Sequence, residues 1–221
     1  MSSLVSFGKR PHLDNLWRQL LLGGLGWVLA IYPAGQASAH FGREFPVVAE
    51  TSYGRAHHDY PATDIFASCG SRVVSPVDGL VLEVDLVDLV DRWDPETDHG
   101  AARGGKFVSI RGLDGIRYHG SHLSGIRGRV QPGARVHAGQ RLGRVGHSGS
   151  ARNTACHLHF GLSPVCEGTG QWWIRRGVVS PYRFLNRWRA GGHLSPAGAV
   201  SDWKSDWKSD WKQEHGCPSR P

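Results

Sequence analysis

The sequence predicts an all-β fold, a small antiparallel sheet domain with a short C-terminal helical extension. Three observations predict it. Between Val73 and Phe160 the chain runs in short β-branched stretches, glycine-rich turns separate them, and His157 to Leu162 alternates in character residue by residue. Many short strands joined by turns pair most simply with their neighbours in antiparallel order.

The elements follow in chain order. Residues 1–39 read as a leader. Lys9, Arg10 and Arg18 give a basic start, Leu20 to Ile31 is apolar with only glycines interrupting it, and Ala37-Ser38-Ala39 supplies small residues for cleavage. The apolar run is a dozen residues long, whereas a membrane span needs ~20. The expectation is a cleaved signal peptide and an exported or cell-envelope protein, with an uncleaved anchor as the alternative.

The main domain is expected over residues 40–170. Val73-Val74 and Leu80 to Val84 flank the turn Asp78-Gly79, and Phe107 to Ile110 and Ile116 to Tyr118 flank Leu113-Asp114-Gly115. Gly133 and Gly139 punctuate the next stretch. Asp85 to Gly105, acidic and bearing proline and glycine, is expected as a surface loop, with groove lining or calcium binding as further readings. A helical extension is expected over 171–192. Ser180-Pro181 marks its start, Phe184, Leu185 and Trp188 share one face, and Gly191-Gly192 ends it. Residues 193–200 are expected as a linker before a tail in which Ser-Asp-Trp-Lys repeats three times. A helix through that repeat would align Trp203, Trp207 and Trp211 but also stack like charges. Attachment to wall or membrane through this tail is one reading; a repeat without fixed structure is the other.

The formal net charge is +7; the leader accounts for +2 of it, three cations against Asp14, leaving +5 for the remainder. That balance suits anionic wall polymers or lipid headgroups. No nucleic-acid motif accompanies it, so nucleic acid is not an expected partner. Four cysteines, Cys69, Cys156, Cys166 and Cys217, follow the leader. In an oxidising compartment they predict disulfides, with Cys156–Cys166 and Cys69–Cys217 the favoured pairs because Cys156 and Cys166 bracket one strand. No Cys-x2-Cys spacing supports a zinc knuckle.

Chemistry concentrates in three β-rich stretches. In Cys156-His157-Leu158-His159-Phe160, strand alternation sends His157 and His159 to one face and Leu158 and Phe160 to the other. His57-His58-Asp59-Tyr60-Pro61-Ala62-Thr63-Asp64 adds imidazoles and a carboxylate, and His119-Gly120-Ser121-His122 adds another histidine pair. Two histidines and a carboxylate satisfy a catalytic zinc site, which keeps one position open. Spare imidazoles nearby can carry protons near neutral pH. His12, His99, His137, His147, His193 and His215 are expected as ordinary surface or core residues.

These segments, in this order, resemble the M23 (lysostaphin-type, LytM-like) peptidases. The match runs through Tyr53-Gly54-Arg55, His58 and Asp64, Ser75 to Val81, His122-Leu123-Ser124, Val136 to Gly143, Gly146-His147-Ser148-Gly149 and His157 to Phe160, over roughly residues 50 to 165. The resemblance implies a small, open-barrel-like antiparallel sheet around a groove, a zinc cofactor and a peptidoglycan peptide substrate. By it, His58, Asp64 and His159 hold zinc, and His122 and His157 are the catalytic histidines. The family usually places three residues between the first histidine and the aspartate; here five separate His58 from Asp64. His58 is chosen over His57 because it needs the smaller insertion.

The reaction so implied is hydrolysis of peptide bonds in wall cross-links or stem peptides by zinc-activated water, by a monomer. Ser121 beside His122 lacks the strand-to-helix elbow of a serine hydrolase. The alternative from another class is an inactive wall-binding regulator, which the full set of ligand and catalytic positions disfavours.

Overall fold

In the computed structural model, residues 42–58, 60–88, 101–166 and 172–206 are described. They contain strands β1 (Val47–Val48), β2 (Ser52–Tyr53), β3 (Thr63–Phe66), β4 (Arg72–Val74), β5 (Gly79–Asp85) and β6 (Phe107–Gly112). After these come β7 (Ile116–Ser121), β8 (Leu123–Ile126), β9 (Arg135–Val136), β10 (Arg141–Val145) and β11 (His157–Pro164). Three helices close the order: α1 (Trp172–Arg175), α2 (Tyr182–Arg189) and α3 (Ala197–Asp206). The strands form two sheets, β2-β3-β11-β7-β6-β5-β9 and β1-β4-β10-β8, with every described ladder antiparallel. The predicted all-β class is what the chain adopts.

Of the two predicted turns, Leu113-Asp114-Gly115 closes a hairpin, whereas the strands flanking Asp78-Gly79, β4 and β5, lie in different sheets and do not pair. Gly115, at φ +76°, closes the β6–β7 hairpin, where Ile110 faces Tyr118 across the ladder. Val73, Val81, Ile110, Tyr118, Leu158 and Phe160 join one core. At roughly 1.5–3 kcal/mol for each large side chain taken from water, that core outweighs any surface contact. β11 is buried along its whole length, because its apolar face meets the core and its histidine face is covered by later chain.

The helical extension departs from expectation in detail. Phe184, Leu185 and Trp188 are buried on one side of α2, as the spacing predicts. Ser180 does not cap that helix; its hydroxyl donates to the Arg55 carbonyl. The C-terminal end follows the glycines, with Gly191 N–H bonded to Trp188 O and Gly192 N–H to Arg187 O. The linker expected over 193–200 is corrected: α3 begins at Ala197, Ser195 Oγ accepts the Ala197 N–H, and Val200 is buried in the main core. One apolar residue at the right turn of a capped helix outweighs the small-residue composition. The first Ser-Asp-Trp-Lys repeat is therefore helical, and Trp203 packs on Cys166, Ile174 and Val178.

The cysteine pairing is also corrected. Cys69 is bonded to Cys156, with the Cα atoms 5.3 Å apart, and Cys166 is not free. Flanking one strand in sequence does not bring two cysteines together, since a strand separates its ends. Cys69 instead follows β3, the ladder neighbour of β11, so it ends beside Cys156. The leader, residues 89–100 of the predicted loop, and residues 207–221, which hold Cys217 and the repeats beyond Asp206, lie outside the described residues.

Candidate metal centre and catalytic groove

Register builds the site. In the β3–β11 ladder His159 stands directly opposite Asp64, and in the β11–β7 ladder it stands opposite Ser121. Directly opposed residues place their Cβ atoms ~4.5–5.5 Å apart on one face. Asp64 Oδ1 accordingly lies 2.9 Å from His159 Nδ1. His157, one alternation earlier on the same face, has Nε2 3.8 Å from the same oxygen.

The third partner is His57. Its Nε2 lies 3.8 Å from Asp64 Oδ2, and one ligand atom from each of His57, Asp64 and His159 falls within 4.8 Å of the others. The structure brings His57 rather than His58 into this group; His58 is exposed and outside it. Counting residues misleads here because the His57 N–H bonds to the Ala62 carbonyl at 2.6 Å. That bond closes a loop with His57 at its base, beside Asp64, and carries His58 outward. Tyr60 folds back under the loop, its ring 4.3 Å from that of His57.

His122 arrives by a different device. It lies between β7 and β8, where the chain leaves one sheet for the other, and it alone among described non-glycine residues has positive φ, +64°. Such a backbone costs about 1–2 kcal/mol and tends to persist where a side chain must be aimed. The imidazole is held by its Nδ1–H, which donates to Ser148 O at 2.8 Å. Ser148 belongs to the Gly146-His147-Ser148-Gly149 motif, and Gly149 explains that motif. A Cβ there would stand 2.3 Å from Arg103 O and 2.4 Å from Gly105 N, so only glycine lets the two loops touch.

The tautomers follow from the acceptors. His157 Nδ1–H donates to Ala155 O at 2.9 Å, which leaves its Nε2 on the Asp64 side, and its ring centroid is 5.0 Å from that of His122. His159 is oriented differently: its Nε2 lies 2.9 Å from Arg176 O and its Nδ1 2.9 Å from Asp64 Oδ1. Gly161 makes that contact feasible, since a Cβ on it would stand 2.1 Å from the Arg176 carbonyl oxygen.

Burial, with the nearby charges of His159 and His157, pushes His122 down to about 3. The ring is neutral around pH 7. Burial alone would raise Asp64, but the hydrogen bond from His159 and the charges of His159, His157 and His57 prevail and lower it, so the carboxylate is ionised. Burial also holds His119 well below the ordinary histidine range, against Ser109 Oγ at 2.9 Å.

The donor set fits a zinc ion. Nitrogen and oxygen ligands at ~2.0–2.2 Å in a tetrahedron stand roughly 3.3–3.5 Å apart, and the 2.9 and 3.8 Å separations bracket that value. A groove opens beside the set, and its lining includes His57, Tyr60, His122 and His159 together with Arg103, Trp172, Arg175 and Arg176. Sequence reasoning did not find Tyr60 or the Arg176 carbonyl. The only signal for Tyr60 was its place in the insertion between histidine and aspartate.

The profile of Peptidase family M23 matches residues 58–169. The L-Ala–D-Glu endopeptidase of Bacillus subtilis is 29% identical over 140 residues, which is 61% of this chain and 36% of that protein. The chain thus spans about a third of that relative's length. The crystal structure of a putative glycyl-glycine endopeptidase lytM from Ruminococcus gnavus shares the fold, at TM-score 0.51 and 24% identity over 68% of this chain and 62% of that one. The catalytic domain of lysostaphin from Staphylococcus simulans aligns at TM-score 0.45 and 23% identity over 62% of this chain and 92% of that one.

Proposed function

The chain belongs to peptidase family M23, and from that premise we propose that it is an exported zinc endopeptidase that cuts peptide bonds in bacterial peptidoglycan. The observation that carries the proposal is the donor set His57, Asp64 and His159, with the rings of His122 and His157 beside it, each held through Nδ1 by a main-chain carbonyl. The relative named for the L-Ala–D-Glu bond supports a wall-peptide substrate, and the leader over residues 1–39 supports export.

His57, Asp64 and His159 would hold the metal. Zinc in such a site supplies Lewis acidity toward a water molecule and a peptide carbonyl. The protein's own groups supply the proton traffic. Neutral His122, and His157 beside it, present Nε2 next to the Asp64–His159 pair, where either accepts the proton released as water adds to the carbonyl carbon. The protonated ring then donates from Nε2, first as a hydrogen bond to the developing oxyanion and finally to the leaving amine as the C–N bond breaks. The Ser148 and Ala155 carbonyls keep each Nδ1 protonated, so neither ring has to flip. Ionised Asp64 adds negative charge that favours a cation at the centre.

The test uses the mature chain, residues 40–221, folded under oxidising conditions. Metal analysis should find one zinc per chain, and digestion of purified peptidoglycans should release fragments whose masses identify the bond. Absence of both zinc and products overturns the proposal. Zinc without any cleavage would support the wall-binding regulator instead.

A further inference from the structure

We propose that Arg176 determines specificity by receiving a substrate carboxylate on a residue flanking the bond to be cut. The inference rests on the endopeptidase reading above and narrows its substrate class to acidic stem peptides, against bridges made of glycine alone. Three arginines and no Asp or Glu line the groove among the described residues. Two of the arginines are engaged. Arg175 donates to Glu83 at 3.0 Å and lies over the Phe107 ring, and Arg103 has a partner.

Arg176 differs. Its guanidinium lies 3.8 Å from the Tyr60 ring centroid and 4.9 Å from that of Trp172, and it has no carboxylate partner among the described residues. Its Nε is buried without a hydrogen bond. A guanidinium held by its faces keeps its N–H edges, which match a carboxylate in a two-point fork. An incoming carboxylate would also relieve the unsatisfied Nε–H, which is unfavourable as it stands.

The same geometry fixes where that carboxylate sits. The Tyr60 ring beneath the guanidinium is 4.3 Å from the His57 ring and 5.6 Å from the His159 ring. Arg176's own carbonyl is bonded to His159. The cation is therefore adjacent to the reacting centre, within reach of a carboxylate on a residue next to the scissile bond. The α-carboxylate of a γ-linked D-glutamate and the free carboxylate of a diaminopimelate both have this chemistry. A glycine bridge has neither.

The experiment compares two pairs of synthetic stem peptides with the zinc-loaded mature chain. In one pair the glutamate α-carboxylate is free or amidated; in the other the diaminopimelate carboxylate is. Wild type should favour the free acid in at least one pair by about tenfold or more in kcat/KM, the size of one charge-assisted hydrogen bond, mainly through KM. Arg176→Gln should bring that ratio toward one, and Arg176→Lys should restore part of it. Calorimetric binding to chelator-treated protein should show the same preference without turnover. Equal rates on free and amidated members of both pairs overturn the inference in wild type alone, whatever the variants do. So does a ratio in Arg176→Gln that matches wild type. Loss of all cleavage together with absence of zinc would instead overturn the endopeptidase reading.

Discussion

Removing the Cys69–Cys156 bond by the double substitution Cys69→Ala/Cys156→Ala tests how the site is held. The bond closes a loop with a sequence separation of 87. The chain-entropy relation gives roughly 4–5 kcal/mol for a loop of that size, against the ~5–15 kcal/mol of a typical folded domain. It joins the chain just after β3, which carries Asp64, to the residue just before His157 on β11. Its loss should therefore loosen the strand pair that sets the Asp64–His159 distance. Substitution is preferable to a reductant because Cys166 is not free either. The assay is urea unfolding with a chelator present, since bound metal adds stability of its own. With m near ~2 kcal/mol/M, the midpoint should fall by roughly 2 M, and zinc affinity measured separately should weaken. A midpoint shift under ~0.5 M with unaltered zinc affinity would refute the argument that this bond clamps the site.

Other expectations follow from single side chains. His57→Ala should lose zinc affinity by more than the ~10–100-fold typical of outer-shell changes, and His58→Ala should keep it; metal titration of the two variants decides. His122→Ala should retain zinc and lose ~10²–10⁴-fold in rate. His122→Gly should be equally inactive yet about 1 kcal/mol more stable than the alanine variant, because φ is +64° at that position; equal unfolding midpoints would sink the strain argument. His119, held neutral by burial, has a folded-state pKa below its unfolded value near ~6.5. The unfolded chain therefore takes up a proton first, and stability falls as pH drops below ~6.5, by up to ~1.4 kcal/mol per unit for this group. His119→Gln should flatten that slope in denaturation curves from pH 7 to 5, and parallel slopes would remove the assignment.

The strands were legible because β-branched runs and glycine turns are local signals, and His157 and His159 because alternation is local too. Asp64 entered through the resemblance, as the carboxylate that follows the histidines of the first stretch. The choice between His57 and His58 was not legible from spacing. A main-chain hydrogen bond from His57 to Ala62 sets the size of the loop, and counting residues cannot see it. The disulfide was hidden for a related reason. Sequence shows which cysteines flank a strand, whereas pairing depends on which strand lies next to it in the sheet, and β3 precedes β11 by some ninety residues.

The groups that aim the histidines share a property that explains why they are missed. His122 is oriented by Ser148 O, His157 by Ala155 O and His159 by Arg176 O. All three are main-chain carbonyls, which every residue carries, so side-chain identity at 148, 155 and 176 does not announce them. What the sequence retains is the space those carbonyls need. Gly149 lets the Ser148 loop close on residues 103–105, and Gly161 lets the Arg176 carbonyl descend onto β11. A glycine on a histidine-bearing strand thus marks where backbone approaches, as Gly161 does two residues from His159. Read this way, Gly161 points to a covering segment over His159. That segment is the one ending in Arg176, whose carbonyl orients the His159 ring toward Asp64 while its side chain lines the same groove.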